Sequence, residues 1–138
     1  MSFTPSTSND LEQISEWIAA DPDHAGRCPP EYWLTGAEGS MLSFCLMDDK
    51  GPLAYIRLDK DGDLTRLHTQ FAPEEVVSKR RLIIGMLKAF EIFIPYLKTQ
   101  SKGIIFNSIS PLLIAFMKKQ DFKEASNDDY VLAFEEQT

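Results

Sequence analysis

Hydrophobic periodicity changes near residue 72, and that change limits the folds open to this chain. Before it, three strand-like segments follow one another, separated by turns rich in Asp and Gly: 41–47, 53–58 and 64–71. After it, from residue 73 to about residue 97, apolar residues recur every three or four positions. A period of two is typical of strands, and a period of about 3.6 is typical of a helix packed on a sheet. The pattern therefore predicts an antiparallel three-stranded meander followed by a long helix.

Shorter elements flank the meander and the long helix. The predicted elements are an edge strand over 2–6, helices over 10–20 and from Pro30, a buried strand over 104–109, a helix over 111–120, a final strand over 130–134 and a polar tail. The long helix can begin late, because residues 77–81 can also be read as loop. The order β-α-α-β-β-β-α-β-α-β predicts an α/β (α+β) fold with a mixed, mostly antiparallel sheet flanked by helices. Because the chain has 138 residues, we expect a single domain over 1–138.

The charge of the chain argues against two classes of partner. Lys and Arg number 14 against 21 Asp and Glu, which gives a formal net charge of −7. The field of so acidic a protein repels phosphate groups, so we expect neither nucleic acid nor an anionic membrane surface as a partner. Apolar runs reach only about six residues, as over 82–87, whereas a membrane-spanning helix needs about 20.

Cysteine usage and the N-terminal residues indicate a compartment. Cys28 and Cys45 are the two cysteines, and two are too few for a disulfide framework. Residues 1–5 lack the basic and apolar regions of a signal peptide. We therefore expect a reduced, cytoplasmic protein.

Two segments carry a resemblance to a known superfamily. The segment from Phe116 to Phe122, followed by Tyr130-Val131-Leu132, is similar to the Tyr-Glu-Lys-Leu-Gly-Phe-like helix end and last strand of the GNAT acyltransferases. The strand-turn-helix from Leu64 to Leu97 stands where that superfamily places its acyl-CoA motif. Together with the order of elements, which covers essentially the whole chain, these segments resemble a GNAT protein.

The resemblance implies a fold, an activity and a cofactor. It implies a GNAT-like sheet in which the strands over 64–71 and 104–109 run parallel and separate at one end. It also implies an N-acetyltransferase that moves an acyl group from acyl-CoA, with acetyl-CoA as the expected donor, to an amine on a small molecule or a protein. The alternative is a catalytically inactive GNAT-fold module that binds a partner or a small molecule, because a fold does not dictate a function.

The acyl-CoA motif of the superfamily, Gln/Arg-x-x-Gly-x-Gly/Ala, is degenerate in this chain. The matching residues are Ser78-Lys79-Arg80-Arg81-Leu82-Ile83. Arg81 and Ile83 thus replace the glycines that let backbone amides approach a pyrophosphate. The three consecutive cations can neutralise phosphates directly, or they can form a solvated basic patch with surface ion pairs.

The resemblance implies further contacts with the cofactor. Ser110 stands where relatives have an Asn that contacts the pantetheine arm, although a serine before Pro111 also fits a helix N-cap. Phe71 ends the strand that enters the motif. The expected cofactor-binding residues are Phe71, Lys79, Arg80, Arg81 and Ser110.

The same resemblance addresses the acid and the base. Many relatives use a tyrosine as general acid, and Met117 replaces it here with a side chain that has no proton to give. Relatives often place a carboxylate base on the strand that enters the motif, where this chain has His68, with an ordinary pKa of about 6.5. His68 is therefore the candidate catalytic residue, although a histidine on a meander strand can also simply pack and hydrogen-bond. Arg66 and Gln70 share its face and make that surface polar, as a cleft would be.

The loop over residues 21–33 occupies the part of the fold that shapes acceptor specificity in relatives. Its acidic residues favour a cationic acceptor, and the alternative is an ordinary loop that closes over the sheet. His24 and Cys28 lie four residues apart in this loop, but two ligands do not make a zinc site.

Two other patterns are assigned structural roles. The series Asp59-x-Asp61-x-Asp63 lacks the glycine and glutamate positions of a calcium loop and is explained by a hairpin turn, so no metal is expected. The aromatic residues of the long helix, Phe90, Phe93 and Tyr96, are expected in the core or in a subunit contact, and the latter would make a homodimer.

Overall fold

The computed structural model describes residues 1–134, and the predicted polar tail over 135–138 lies outside the described residues. The helices are α1 (Leu11–Ala20), α2 (Lys79–Leu97) and α3 (Pro111–Lys119), with 3-10 turns at Ser8–Asp10 and Pro30–Trp33. The strands are β1 (Ser2–Pro5), β2 (Ser40–Asp48), β3 (Gly51–Asp61), β4 (Leu64–Phe71), β5 (Gly103–Asn107), β6 (Lys123–Glu124) and β7 (Asp129–Ala133). None of the described helices is long and apolar enough to cross a membrane.

The strands form one sheet in the order β1-β2-β3-β4-β5-β7-β6. Every neighbouring pair is antiparallel except β4 and β5, which are parallel. The predicted mixed, mostly antiparallel sheet flanked by helices is therefore confirmed, and so is the edge position of the first strand.

The parallel pair separates soon after it forms. Strands β4 and β5 pair only at Thr65 with Ile104 and at Arg66 with Ile105, whereas β4 stays paired with β3 as far as Phe71. Residues 67–71 of β4 consequently have a neighbouring strand on one side only. We call this gap the β4–β5 opening, and it confirms the expected parallel pair that diverges at one end.

Helices α2 and α3 cover one face of the sheet. Phe90 of α2 stacks on Phe116 of α3, and their ring centroids lie 6.3 Å apart. The ring centroid of Phe93, also in α2, lies 4.9 Å from that of Phe44 in β2. Gly85 allows α2 to approach β3, because a Cβ at this position would lie 2.6 Å from a methyl carbon of Leu53. The core prediction thus holds for Phe90 and Phe93.

Helix α1 and the Pro30–Trp33 turn cover the opposite face. Trp17 of α1 packs against Tyr55 of β3 at 5.2 Å between ring centroids. Tyr55 is paired with Gln70 of β4, and Arg57 with His68. Because directly paired residues lie on the same face of a sheet, all four side chains belong to the α1 face.

Several predicted boundaries need correction. Helix α2 begins at Lys79 rather than at Pro73, because the amides of residues 76 and 77 bond to the Pro73 carbonyl and form a turn. The strand predicted over 104–109 ends at Asn107. Strand β6 was not predicted, since two residues are too few to show a period. Tyr96 is 44% exposed and is not a core residue.

Candidate active site

His68 lies at the β4–β5 opening, two residues beyond the last β4 position that pairs with β5. Its side chain is 30% exposed, and its Nε2 lies 3.2 Å from Oδ2 of Asp59 on β3. The ring of Tyr32 packs edge-on against the imidazole at 5.6 Å. His68 is therefore held by its neighbours on one side and open to the surroundings on the other.

A buried arginine organises the groups around His68. Arg57 is 5% exposed, and its Nε donates to Asp59 Oδ1 at 2.8 Å. Its two terminal nitrogens donate to the backbone carbonyls of Tyr32 at 2.9 Å and Glu38 at 2.8 Å. The guanidinium carbon also lies 3.9 Å from the centre of the Tyr32 ring. These contacts fix the Asp59 carboxylate in position beside the imidazole.

The environment favours the neutral form of His68. Burial lowers the pKa of its imidazole below the ordinary value, and the positive charges of Arg57 and Arg66 act in the same direction. The Asp59 carboxylate opposes them but does not outweigh them. A neutral imidazole has a lone pair, so His68 can accept a proton near neutral pH.

Arg66 connects the same face to β7. It donates to Asp61 at 2.8 Å and to Asp129 at 3.1 Å, and this contact lowers the pKa of the Asp129 carboxyl. Asp61 is thereby part of an ion pair. Among the described residues, no group of three or more His, Cys, Asp or Glu side chains is placed to hold a metal ion.

The loop that follows α1 covers part of the sheet face on which His68 and Gln70 lie. Gln70 is 0% exposed, its Oε1 lies 2.6 Å from His24 Nδ1, and its Nε2 donates to Asp21 at 3.2 Å. Gln70 therefore adds nothing to an open polar surface beside His68, since a buried amide needs partners and the loop supplies them. Cys28, in the same loop, is half-buried, and burial raises the pKa of its thiol.

The basic triplet is not brought together. Arg81 forms a two-bonded ion pair with Asp48, at 2.9 and 2.7 Å, and this bonding lowers the pKa of Asp48 to about 2. Lys79 lies 3.3 Å from Glu74. Arg80 is exposed and forms no ion pair with any residue of the range 1–134. Of the three cations, Arg80 is thus the one whose charge no carboxylate compensates within residues 1–134.

The remaining predicted cofactor contacts lie at the ends of the two diverging strands. Phe71 is the last residue of β4, and α2 begins eight residues later. Ser110 precedes α3 and accepts a hydrogen bond from the amide of Leu113 at 3.4 Å, so it is the N-cap of that helix. Parallel strands end at the same edge of a sheet, so the N-termini of α2 and α3 both follow the β4–β5 opening.

The position of the expected acid is occupied by an apolar side chain inside the core. Met117 is 1% exposed, and the neighbouring Phe116 is stacked on Phe90. Neither side chain can donate a proton to a leaving group.

Sequence reasoning did not connect Arg57, Asp59 and Tyr32 with His68. The Asp61-Gly62 turn pairs Asp61 with Leu64, and counting back along both strands pairs Arg57 with His68. Hairpin register therefore carried the signal for Arg57 and, through the period of two, for Asp59 on the same face. Tyr32 comes from a separate turn, and no local pattern connects it to these strands.

Solved acetyltransferases share this arrangement of elements. A GNAT family acetyltransferase from Brucella melitensis, in complex with acetyl-CoA, matches with a TM-score of 0.60 and 13% identity, over 99% of this chain and 90% of that chain. The aminoglycoside acetyltransferase AAC(6')-Ib, in complex with coenzyme A, matches with a TM-score of 0.71 and 14% identity, over 96% and 95%. The ribosomal-protein-S18-alanine N-acetyltransferase from Escherichia coli matches with a TM-score of 0.65 and 14% identity, over 94% and 90%.

This protein has the fold of the GNAT acetyltransferases, as the resemblance in its sequence implied. No family model matches the chain, and no curated protein matches its sequence. At this level of identity the likeness is one of fold, so an activity has to be argued from the residues of the site.

Proposed function

We propose that this protein transfers an acetyl group from acetyl-CoA to an amine, with His68 as the proton acceptor. The observation that carries the proposal is the position of His68 at the point where β4 and β5 separate, where burial lowers the pKa of its imidazole. The solved structures of the same fold that contain acetyl-CoA or coenzyme A support it as well.

The residues at the opening fit an acyl-CoA in part. The edge of β4 over residues 67–71 has no strand neighbour toward β5, so its backbone groups are available to the amides of a pantetheine arm. Ser78 accepts from the amide of Arg81, which leaves the amides of Lys79 and Arg80 and the exposed Arg80 guanidinium for the phosphates. When bound, acetyl-CoA supplies an activated thioester.

The chain's own groups then handle the proton. The amine of the acceptor must lose a proton as it forms its bond to the carbonyl carbon, and His68 is placed to take it directly or through a water molecule. No acid is present at residue 117, because Met117 is apolar and buried. We therefore expect coenzyme A to leave as its thiolate, without a proton from the side chain at residue 117.

A second candidate function is a GNAT-fold module that binds without catalysis. The pairing of Arg81 with Asp48 favours this second function. Arg81 occupies a glycine position of the acyl-CoA motif, and the ion pair holds its side chain toward the β2–β3 turn. Such a module would bind a partner or a small molecule, whereas the transferase requires an acceptor with a free amine.

Thermal unfolding with and without millimolar acetyl-CoA tests the first step of the proposal. A ligand that binds only the folded state at a hundredfold excess over its Kd stabilises by about 2.7 kcal/mol. We expect a rise of several degrees with acetyl-CoA, whereas an unchanged midpoint would leave the binding module as the function of this fold.

Mass spectrometry then tests the transfer itself. The protein is incubated with acetyl-CoA and a panel of amines that includes an aminoglycoside and a peptide with an N-terminal alanine, the acceptor classes in the names of two structures of this fold. We expect an acetylated product with the wild type and much less with His68→Gln. Equal product from both proteins would remove His68 from the reaction.

A further inference from the structure

We propose that Asp59 is a positioning residue: it holds the Nε2–H of His68 and leaves Nδ1 as the atom that accepts the proton. The inference rests on the proposed function for the role of that proton. It rests on geometry alone for the choice of ring nitrogen.

The two oxygens of Asp59 have separate partners. Oδ1 accepts from Nε of Arg57 at 2.8 Å, and Oδ2 lies 3.2 Å from Nε2 of His68. The carboxylate cannot turn away from the imidazole without breaking its bond to a guanidinium that is itself held by two backbone carbonyls. The direction of Asp59 is therefore set by the buried arginine.

The tautomer follows from the chemistry of the pair. An ionised carboxylate only accepts hydrogen bonds, so it favours the tautomer in which the ring nitrogen 3.2 Å from it carries the hydrogen. A neutral imidazole has one N–H, and the lone pair then lies on Nδ1. Asp59 thus decides which atom of His68 is basic.

Asp59 also stabilises the imidazolium that His68 becomes when it has accepted the proton. During the reaction the amine nitrogen forms its bond to the acetyl carbon, and the carbon–sulfur bond breaks with its electron pair on sulfur. One proton of the amine passes to Nδ1. The resulting imidazolium lies beside the negative charge of Asp59, while Arg57 on β3 and Arg66 on β4 oppose the charge and Tyr32 contributes only its ring edge.

Nitrogen-15 NMR of the imidazoles tests the inference without any assay of activity. The chain has two histidines, and a His24→Gln variant assigns them. We expect the Nε2–H tautomer for His68 in the wild type. His24 serves as an internal contrast, because its Nδ1 faces Gln70 Oε1 at 2.6 Å and Asp21 at 3.4 Å, which predicts the Nδ1–H tautomer.

Asp59→Asn removes the charge with little change of shape. We expect the His68 tautomers to mix and its NMR-measured pKa to fall, because Asp59 is a group that raises it. Asp61→Asn is the matched control, a carboxylate of the same strand that bonds Arg66 and not His68. Asp61→Asn should leave both readouts of His68 unchanged.

Kinetics separate this inference from the proposed function. In an active enzyme, Asp59→Asn should lower kcat about 10- to 100-fold with little change in KM, part of the 10²–10⁴ that a general base contributes. An Nδ1–H tautomer of His68 in the wild type would overturn the inference even if amines are acetylated, and this readout needs no Asp59 variant. An Nε2–H tautomer without any acetylation would overturn the proposed function and, with it, the role of Nδ1 as base.

Discussion

Arg57 is the residue on which the geometry of the site depends most directly. A buried cation is tolerated only when its hydrogen bonds are satisfied, and Arg57 has partners in a side chain and in two backbone carbonyls from a separate segment. The same contacts that make its burial possible also orient Asp59 toward His68. Arg57 therefore contributes both to the stability of the fold and to the position of the carboxylate beside His68.

Replacing this arginine tests that dependence. We expect Arg57→Met to lower the free energy of unfolding by about 3–5 kcal/mol, the range for breaking a buried pair and leaving its partner charge uncompensated. Urea denaturation measures it, and Arg80→Met, an exposed arginine, is the control that should change stability by less than about 0.5 kcal/mol. A loss under about 1 kcal/mol for Arg57→Met would mean that water replaces its partners easily.

Among the elements, helix α3 is followed by a residue whose backbone conformation is unusual for an amino acid with a side chain. Asp121 follows the helix with φ of 71°, the left-handed region in which glycine is common at this position. Asp121 occupies the glycine position of the Tyr-Glu-Lys-Leu-Gly-Phe-like helix end that this segment resembles. Its backbone is therefore strained relative to what glycine would experience.

We expect Asp121→Gly to raise the free energy of unfolding by up to about 1 kcal/mol, because removal of the Cβ relieves this strain by more than the added freedom of the unfolded chain costs. Lys119→Gly, two residues earlier in the last turn of α3, is the control and should lower it by about 1 kcal/mol. Chemical denaturation of both variants is the measurement. A destabilised Asp121→Gly would show that the side chain outweighs the strain.

The start of α2 is the second element with a testable role. Arg81 and Lys79 have carboxylate partners, and Arg80 has none within residues 1–134. If a phosphate of acetyl-CoA lies here, Arg80→Ala should weaken its binding about tenfold, the value of one charged hydrogen bond, and should flatten its dependence on salt. Lys88→Ala, an exposed cation of the same helix, is the matched control for net charge. Equal effects in titration calorimetry would assign Arg80 to a solvated surface.

For the whole molecule, the shifted groups predict how stability follows pH. Burial lowers the pKa of His68 in the folded state below 6.5. As the pH falls, the unfolded chain therefore binds this proton at a higher pH than the folded chain does, and the free energy of unfolding decreases below about pH 6.5. The pKa of Asp48 is lowered from 3.8 to about 2 by its bonds to Arg81. Its contribution is therefore present above about pH 4 and is lost as pH falls toward 2.

Urea denaturation at a series of pH values separates the two contributions. We expect His68→Gln to reduce the loss of stability between pH 7.5 and about 5.5 and to leave the acid part of the curve unchanged. Arg81→Ala should reduce the loss between about pH 4 and 2 instead. A wild-type curve that is flat between pH 7.5 and about 5.5 would mean that the pKa of His68 is the same in the folded and in the unfolded chain.

The order of the elements could be predicted from local patterns in the chain, whereas the diverging parallel strands were expected only from the resemblance to GNAT proteins. Strand and helix periods depend on neighbours within a few residues, and Asp-Gly turns set the hairpin register, so the face of β4 on which His68 lies followed as well. The partners of the charged side chains could not be predicted this way. Arg81 pairs with a residue 33 positions away, and Arg57 with a carbonyl 25 positions away.

The burial of Gln70 and the contacts that hold Asp59 beside His68 both depend on segments that are distant in the sequence. Periodicity indicates the face on which a side chain lies, but the loop that closes on that face comes from a distant segment, 46 residues away in the case of His24 and Gln70. Burial decides whether a polar group needs a partner, and burial exists only once the layers are packed. The positions of His68, Arg57 and Asp59 on one face of the sheet were therefore predictable from the sequence. The contacts through which Asp59 and Arg57 orient the histidine formed only when strands, turn and loop came together.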